Sequence, residues 1–486
     1  MRRTERRTWL LAGLLVASLA RAAEPPAVLG YEDALQAIID TYPTLAIAAL
    51  QVEKARQEQI RVESSLSWVL QANGGLNRDI NFIGTPSDVA SLSAGLQRRF
   101  ASGQSIGLNG RYRYEDSELA FSPLYPNPAQ STGLDLDYRI PLGRGKDNPE
   151  YTQGLISAEA GVLLERANRL AIREQLARQA LELFYGLATI RASYETAQAG
   201  VQRARRLKKY IRERYEMGLA EDKDLLQSEA QLQLQLSELR KLEVLWEQTR
   251  TNLNRLMGRP WKSEFVPRIE LPPAEPVGEQ RLAVYQQEAE ANSPDLLRNR
   301  ARVKLGEAEL ERRRDARRDQ LDVVASIGTR TLNGPSGFGD INELDVAGGV
   351  RLEYQNALDK RGFDAAIYQA RLEIRMAEED SRKVRDDLRY RIAGLVGELE
   401  ASRKALAAYE ARLKSEQRKF DEALDLYREG RFTTDRLIQF ENELQAARFA
   451  LEQQRIEYAQ RQRDLAILRG TIWQRIRYNP EAEVMP

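Results

Sequence analysis

The sequence predicts a mainly α-helical fold with a β-barrel portion, built from a duplicated unit of helix, strands and long helical hairpin. Two long tracts support the helical part, because neither contains proline and both are rich in helix-forming residues. They lie between Pro149 and Pro260 and between Pro335 and Pro480. Segments in which apolar and polar residues alternate support the strands. A motif that occurs once in each tract supports the duplication.

The N-terminus is typical of an export signal. Arginines at positions 2, 3, 6 and 7 precede the apolar run from Trp9 to Ala20, and Ala20 and Ala22 suit a cleavage site. We therefore predict a signal peptide over residues 1–22. A membrane anchor is the alternative, but this run of about twelve residues is shorter than the roughly 20 that a spanning helix needs.

The composition argues against an enzyme, a metal site and a nucleic-acid partner. The 486-residue chain contains no cysteine and no histidine, which supply many nucleophiles, general bases and metal ligands. Its 73 basic and 72 acidic residues nearly cancel, so the net charge gives no reason to expect a polyanion. Paired carboxylates remain possible catalysts, but no motif singles out a pair. We expect no catalytic residue, metal or cofactor.

The duplicated motif aligns Tyr215–Trp261 with Tyr427–Trp473 without a gap. About a quarter of the positions are identical, and they include glycines and a tryptophan that leucine spacing alone does not explain. An earlier pair, TYPTLA and NSPDLL, aligns Pro43 with Pro294, and each proline suits a first helical turn. The identical pairs include Tyr215/Tyr427, Gly218/Gly430, Leu225/Leu437, Gln227/Gln439, Glu229/Glu441, Leu232/Leu444, Leu253/Leu465, Gly258/Gly470 and Trp261/Trp473.

The two repeats define the expected domain organisation. Helices about 100 Å long, at 1.5 Å per residue, require a coiled assembly to hold them. The first repeat covers 30–261, with a helix at 32–67, strands within 68–141 and a helical hairpin at 150–258 whose tip lies near 218. A linker follows at 262–280. The second repeat covers 281–477, with a helix at 281–320, strands within 321–355 and a hairpin at 363–477 whose tip lies near 430.

The strand segments have one apolar and one polar face. SIGLNGRYRY alternates Ile106 and Leu108 with Asn109 and Arg111, and GLDLDYRI alternates in the same way. Such strands suit an outer-membrane barrel, although a soluble sandwich also alternates. No later segment has the pattern of a transmembrane helix, so membrane insertion has to come from closed β-structure.

The number of strands bears on assembly. Roughly four to six strands per chain are too few for a transmembrane barrel, whose minimum is about eight, so insertion requires oligomerisation. A trimer supplies roughly twelve to eighteen strands. The longer strand region of the first repeat suggests an extra hairpin around Leu92–Tyr114, and its place relative to a barrel stays open.

Together these motifs resemble the TolC-like outer membrane efflux protein family, the outer membrane factors. The resemblance rests on the helix starts at Pro43 and Pro294, PLGRG from Pro141 and the tip pattern R-x-x-x-G-x-x-[ST]-x-x-D-L, and it covers nearly all of the chain after the signal. It implies a homotrimer with a shared β-barrel in the outer membrane lipid and an α-helical tunnel in the periplasm. It also implies a passive duct of a tripartite efflux or type I secretion system, docked on a periplasmic adaptor and an inner-membrane pump. A periplasmic or secreted coiled-coil structural protein without channel activity is the alternative.

The resemblance assigns residues at both hairpin tips to adaptor docking. A glycine there suits the left-handed backbone of a helix reversal. Leu219 and Phe432 follow the two glycines, and apolar side chains at a turn suit docking, unless they pack within the hairpin. In the second repeat Leu426 and Arg436 replace the arginine and aspartate of the pattern, and in the first Glu221 replaces its Ser or Thr. The tip residues are Arg214, Gly218, Leu219, Asp224, Leu225, Gly430, Phe432, Thr433 and Leu437.

Four positions form a candidate gate. Asp224 and Tyr427 resemble the aspartate and tyrosine that hold neighbouring tip helices closed in the family. Arg436 and Gln439 occupy positions at which relatives carry acidic residues around the tunnel entrance. The resemblance therefore gives no reason to expect an acidic, cation-selective constriction in this chain.

Overall fold

The computed structural model describes residues 27–80, 85–119, 122–218, 221–271, 279–429, 431 and 434–476. The predicted signal peptide lies outside the described residues. The predicted fold class is confirmed, because long helices and an antiparallel sheet occur in a duplicated order. The described residues form two compact units. One has the sheet, with residues from Ala46–Ile172 and Ser293–Asp387; the other has residues from Met1–Leu45, Arg173–Asn292 and Leu388–Pro480.

The long helices occur in matched sets, one set for each repeat. In each set two shorter helices precede the strands and two longer helices follow them. In the described part of the chain, no helix combines the length and apolar character required to cross a membrane. The first set is α1 (Tyr31–Thr41), α2 (Pro43–Glu63), α3 (Pro149–Glu216) and α4 (Asp222–Leu256), and the second is α5 (Glu279–Asn292), α6 (Pro294–Ala316), α7 (Arg361–Arg428) and α8 (Thr434–Arg469).

Each helix expected at the start of a repeat, 32–67 and 281–320, is divided in two at a proline. Pro43 begins α2 and Pro294 begins α6. The preceding residues are extended, with ψ of 118° in each case, because a proline ring disfavours the helical conformation of the residue before it. The sequence placed both prolines in a first helical turn, but it did not show that another helix ends just before them.

The strands form a six-stranded sheet and a two-stranded sheet. The larger sheet has the order β2-β3-β4-β5-β7-β8, and every neighbouring pair is antiparallel. The extra hairpin expected around Leu92–Tyr114 corresponds to β3 and β4, which lie within this sheet. The strands are β1 (Ala27–Leu29), β2 (Val69–Ile80), β3 (Pro86–Arg99), β4 (Ser105–Ser117), β5 (Ala129–Pro141), β6 (Phe265–Pro267), β7 (Gln320–Ser336) and β8 (Gly339–Gln355).

The segment at 262–280, expected to be only a linker, contains β6. This strand pairs in parallel with β1, with Phe265 opposite Ala27. Phe265 is buried, and the Arg259 guanidinium lies 5.7 Å from its ring centroid. Strands of three residues are too short to show an alternating pattern, so no sequence signal indicated this pairing.

The unit without the six-stranded sheet has an aromatic core. Tyr31 of α1 packs on Phe184 and Tyr185 of α3, with ring centroids 5.9 and 6.1 Å apart. The Tyr31 hydroxyl donates to the Ala177 carbonyl at 2.9 Å, so this buried polar group has a partner. In the second repeat, α5 packs against α7 and α8 through a cluster that includes Tyr285 and Leu399.

Both hairpins end in the same way, at a glycine with a left-handed backbone. Gly258 follows α4 with φ of 64°, and Gly470 follows α8 with φ of 74°. A Cβ atom at Gly258 would lie 2.9 Å from Thr41 Oγ1, and one at Gly470 would lie 2.8 Å from Asn292 Cβ. Because Thr41 and Asn292 are the last residues of α1 and α5, each repeat closes its hairpin against the end of its own first helix.

Candidate functional site

The first hairpin tip is the turn between α3 and α4. The Gly218 amide donates to the Tyr215 carbonyl at 2.9 Å, and Gly218 has a left-handed φ of 74°. Among the described residues other than its own chain neighbours, no atom lies within 4 Å of the position that a Cβ would occupy. Glycine is therefore favoured at this position by its backbone conformation.

Asp224 caps the helix that leaves this tip. The Asp224 Oδ2 atom accepts a hydrogen bond from the Glu221 amide at 3.2 Å. Asp224 lies in the first turn of α4, where the negative charge of a carboxylate interacts favourably with the helix dipole. Glu221 is the N-cap residue and occupies the Ser or Thr position of the tip pattern. That pattern thus corresponds to a helix N-terminus, in which Ser or Thr is the usual cap.

Four predicted site residues lie outside the described residues, and three more are described by their backbone alone. Leu219, Gly430, Phe432 and Thr433 lie outside the described residues. For Arg214, Tyr427 and Leu437 the structure describes the backbone, which belongs to α3, α7 and α8. The docking and gate roles of all seven residues stay predictions.

The remaining tip and gate residues are described with their side chains. Leu225 is half-buried, and its carbonyl accepts from Ser228 Oγ at 2.7 Å. Arg436 and Gln439 are exposed on α8, and Gln439 Nε2 donates to Glu443 Oε1 at 3.0 Å. The hydrogen bonds of Asp224 and Gln439 therefore lie within their own hairpins and do not join these two gate candidates to each other.

An ion pair that the sequence did not reveal connects the two hairpins. Arg206 Nη2 of α3 lies 3.1 Å from Glu441 Oε1 of α8. The matching glutamate of the first repeat, Glu229, instead lies 2.6 Å from Lys208 Nζ within its own hairpin. Phe420 occupies the position of the second repeat that aligns with Lys208. Glu441 therefore has no lysine at the equivalent position of its own hairpin.

The second hairpin has a different internal ion pair. Lys419 of α7 contacts Glu443 of α8, and its Nζ also lies 2.5 Å from Glu416 Oε2. Hydrogen bonds to Glu416 and Glu443 raise the pKa of Lys419. The bond from Lys419, with a smaller contribution from Gln439, lowers the pKa of Glu443. In the first hairpin, Lys208 lowers the pKa of Glu229.

The six-stranded sheet has one apolar face. The register places Leu70, Leu96, Leu108, Leu136 and Ile327 in one row across five strands. These side chains are on the face that the alternation in SIGLNGRYRY and GLDLDYRI predicted. Further large apolar side chains on this face are largely exposed in the single chain, for example Leu76 at 85% and Val350 at 77%.

The opposite face of the sheet is polar, and its charges pair across strands. Arg139 of β5 lies 2.7 Å from Asp322 of β7 and 2.8 Å from Glu353 of β8. Arg111 of β4 pairs with Asp135 of β5. A sheet with these two faces can separate an apolar environment from water.

Solved structures match this chain over most of its length. The outer membrane protein VceC from Vibrio cholerae has a TM-score of 0.64 at 16% identity, over 90% of this chain and 96% of VceC. The outer-membrane channel OprN has a TM-score of 0.65 at 15% identity, over 91% of this chain and 90% of OprN. The Campylobacter jejuni CmeC outer membrane channel has a TM-score of 0.63 at 14% identity, over 90% of this chain and 85% of CmeC. The chain has the fold of the TolC-like outer membrane channels.

The TolC-like fold confirms the resemblance that the sequence suggested. No protein-family profile matches the sequence, and no curated protein matches it at the sequence level.

Proposed function

We propose that this chain forms a passive trimeric channel in the outer membrane, with its helical part in the periplasm. The observation that carries the proposal is the exposed apolar face of the six-stranded sheet, which lies opposite an ion-paired polar face. The channel conducts substrates and catalyses no bond chemistry. The TolC-like fold and the names of the matched proteins, which are outer membrane channels, support this function.

The sheet provides the physical reason. An exposed apolar surface on this scale is unfavourable in water, whereas lipid tails cover it without cost. The unpaired backbone groups of an open sheet edge are unfavourable in lipid, so the edges must be closed by other strands. A homotrimer with a shared barrel satisfies both requirements.

The hairpin tips are the proposed docking sites for a periplasmic adaptor of an inner-membrane efflux pump or type I secretion system. The first tip has Gly218 in a left-handed turn and the capped start of α4, and it is proposed to present Leu219, which follows Gly218 in the sequence. The second is proposed to present Gly430 and Phe432. Energy for transport comes from the pump.

A pair of arginine substitutions on β8 tests the membrane assignment. Val350→Arg places a charge near the middle of the apolar face and is expected to cost about 2–4 kcal/mol in lipid. Ala347→Arg places the same charge on the polar face of the same strand, where water solvates it. We expect heat-modifiable trimers in the outer membrane fraction for the native chain and for Ala347→Arg, and much less for Val350→Arg.

Purified trimers are then reconstituted into planar bilayers. Reproducible single-channel conductance steps are expected from the native chain. Recovery of the native chain in the soluble periplasmic fraction, together with equal tolerance of both arginines, would instead support a coiled-coil structural protein without channel activity.

A further inference from the structure

We propose that three copies of this chain close an 18-stranded barrel in which β8 of one copy pairs with β2 of the next, because each copy contributes a sheet of six strands. The partner surface is thus the edge strand of a second copy. This inference rests on the proposed outer-membrane trimer, and it specifies which strands form the barrel wall and its joints.

The directions of the strands allow this closure. Within the described residues, β2 pairs on one side with β3, and β8 pairs on one side with β7. All five neighbouring pairs are antiparallel, so β2 and β8 run in opposite directions. Joining β8 to β2 of the next copy continues the same alternation, and repeating this head-to-tail contact closes a ring without a free edge.

The apolar face continues through the extra hairpin. Leu92 of β3 lies opposite Gly74 of β2 and Tyr112 of β4. Leu92 is 58% exposed, comparable with Leu134 at 52% on β5. If β3 and β4 projected away from the membrane, these side chains would face water. The hairpin therefore has the surface of barrel wall and not of a soluble loop.

Strand β3 has a charged residue near each end of its apolar segment. At one end Asp88 lies 3.8 Å from Arg78 of β2, on the apolar face. At the other end the Arg98 guanidinium lies 5.9 Å from the Trp68 ring centroid and 5.3 Å from that of Phe100. A basic and aromatic cluster of this kind is typical of a membrane interface.

The distance between these limits matches the thickness of a membrane. Residues 88 and 98 are separated by ten steps of about 3.3 Å, which gives about 33 Å along the strand. A tilt of about 40° reduces this to about 25 Å, the height of the apolar band in outer-membrane barrels. Strand β3 therefore has the length and boundaries of a spanning strand.

The strand number affects the size of the pore. Barrels of 16–18 strands enclose an aqueous channel, whereas barrels of about eight are filled by side chains. An 18-stranded wall gives this protein a wider mouth than a trimer that uses four strands per chain.

Disulfide mapping tests the proposal in the full chain, which has no cysteine of its own. Ala72→Cys on β2 is combined in turn with Val346→Cys, Gly348→Cys and Val350→Cys on β8, since residues opposite one another share a face. We expect at least one pair to convert the monomer band of membrane trimers into covalent trimers on non-reducing gels. Reductant should restore the monomer band.

Two further pairs represent the four-stranded alternatives. Leu108→Cys on β4 combined with the β8 series links copies if β2 and β3 lie outside the barrel. Ala72→Cys with Leu136→Cys links within one copy if β2 packs directly beside β5. In the six-stranded sheet β2 and β5 are three strands apart, about 14 Å, which is too far for a disulfide.

The outcomes separate this inference from the proposed function. Cross-links from β2 to β8 between copies, without the other two, support the 18-stranded barrel. Membrane trimers that cross-link through β4, that link β2 to β5, or that give no β2–β8 disulfide at any position overturn it and leave the channel proposal intact. Absence of membrane trimers from the cysteine-free native chain overturns the proposed function itself.

Discussion

The two helical hairpins have nearly the same helix lengths but different ion pairs. Helices α3 and α7 each contain 68 residues, while α4 and α8 contain 35 and 36. Near the tips, Glu229 pairs within the first hairpin, whereas the matching Glu441 pairs with Arg206 of the other hairpin. The two repeats therefore share their helix lengths, while the ion pairs on their helix surfaces differ.

The largest expected effect concerns Gly470, at which the second hairpin closes against the end of α5. Gly470→Ala combines a left-handed backbone with a Cβ 2.8 Å from Asn292 Cβ, so we expect a cost of about 2–4 kcal/mol. Gly258→Ala should cost slightly less, because the added Cβ would lie 2.9 Å from Thr41 Oγ1 and 3.0 Å from Thr41 Cβ, both longer than the 2.8 Å contact at Gly470. The measurement is the denaturation midpoint of purified trimers.

Gly161→Ala is the matched control for the two end glycines. Gly161 lies within α3, and apart from the adjacent backbone of that helix no atom of the described residues lies within 4 Å of the position of a Cβ, so alanine should stabilise the helix by about 0.5–1 kcal/mol. Equal midpoints for the Gly470 and Gly161 variants would show that the contact between Gly470 and Asn292 does not constrain the hairpin end.

The next effect concerns the first tip. Gly218→Val places a β-branched residue at a φ of 74°, which should distort the turn and abolish export while membrane trimers still form. Gly218→Asn should retain most export, because asparagine tolerates this conformation. Export is measured as substrate efflux from cells that carry the proposed adaptor and pump. Full export by the valine variant would remove this tip from the docking surface.

A smaller effect distinguishes the two glutamates. Glu441→Gln weakens the ion pair between the two hairpins and should make channel openings in planar bilayers longer or more frequent. Glu229→Gln weakens a pair within one hairpin and should leave openings nearly unchanged. Exposed ion pairs contribute little to stability, so the difference should appear in gating and not in denaturation.

Charge reversal at the same site provides a control for the gating prediction. Arg206→Glu combined with Glu441→Arg restores opposite charges across the two hairpins and should bring openings back towards the native pattern. If neither the single nor the double variant alters openings, the Arg206–Glu441 pair does not restrain the tips.

The smallest expected effect is on pH dependence. Lys208 lowers the pKa of Glu229 and Lys419 lowers that of Glu443. A lowered carboxyl pKa contributes stability above the unfolded value of about 4.3, and this contribution is lost as pH falls through the folded pKa. Lys208→Gln and Lys419→Gln should each reduce the loss of trimer stability between pH 6 and pH 3. An unchanged pH profile in both variants would contradict these pair assignments.

Features that depend on a residue's immediate neighbours were predictable from the sequence. The period-two pattern placed Leu108 and Arg111 on opposite faces of β4, because alternation is fixed by strand geometry. Proline at positions 43 and 294 marked helix starts, because its ring fixes the local backbone angle φ. Glycine at position 218 marked a helix reversal, because glycine tolerates a left-handed backbone.

Features that depend on distant segments were not predictable in the same way. Arg206 and Glu441 are 235 positions apart, and their contact depends on how α3 and α8 pack. The repeat alignment identified Glu229 and Glu441 as a matching pair without any sign that their partners differ. The parallel pairing of β1 with β6 depends likewise on which segments the fold brings together.

The equal lengths of α3 and α7 restrict how this protein can change in evolution. One inserted residue rotates everything that follows in a helix by about 100°, which would turn the apolar stripe away from its neighbours. An antiparallel sheet accepts a whole hairpin between two of its strands without reversing any other strand, as β3 and β4 between β2 and β5 illustrate. Related chains are therefore expected to differ in the number of strands, which changes two at a time, and in the length of their loops. Their helices should keep the same lengths.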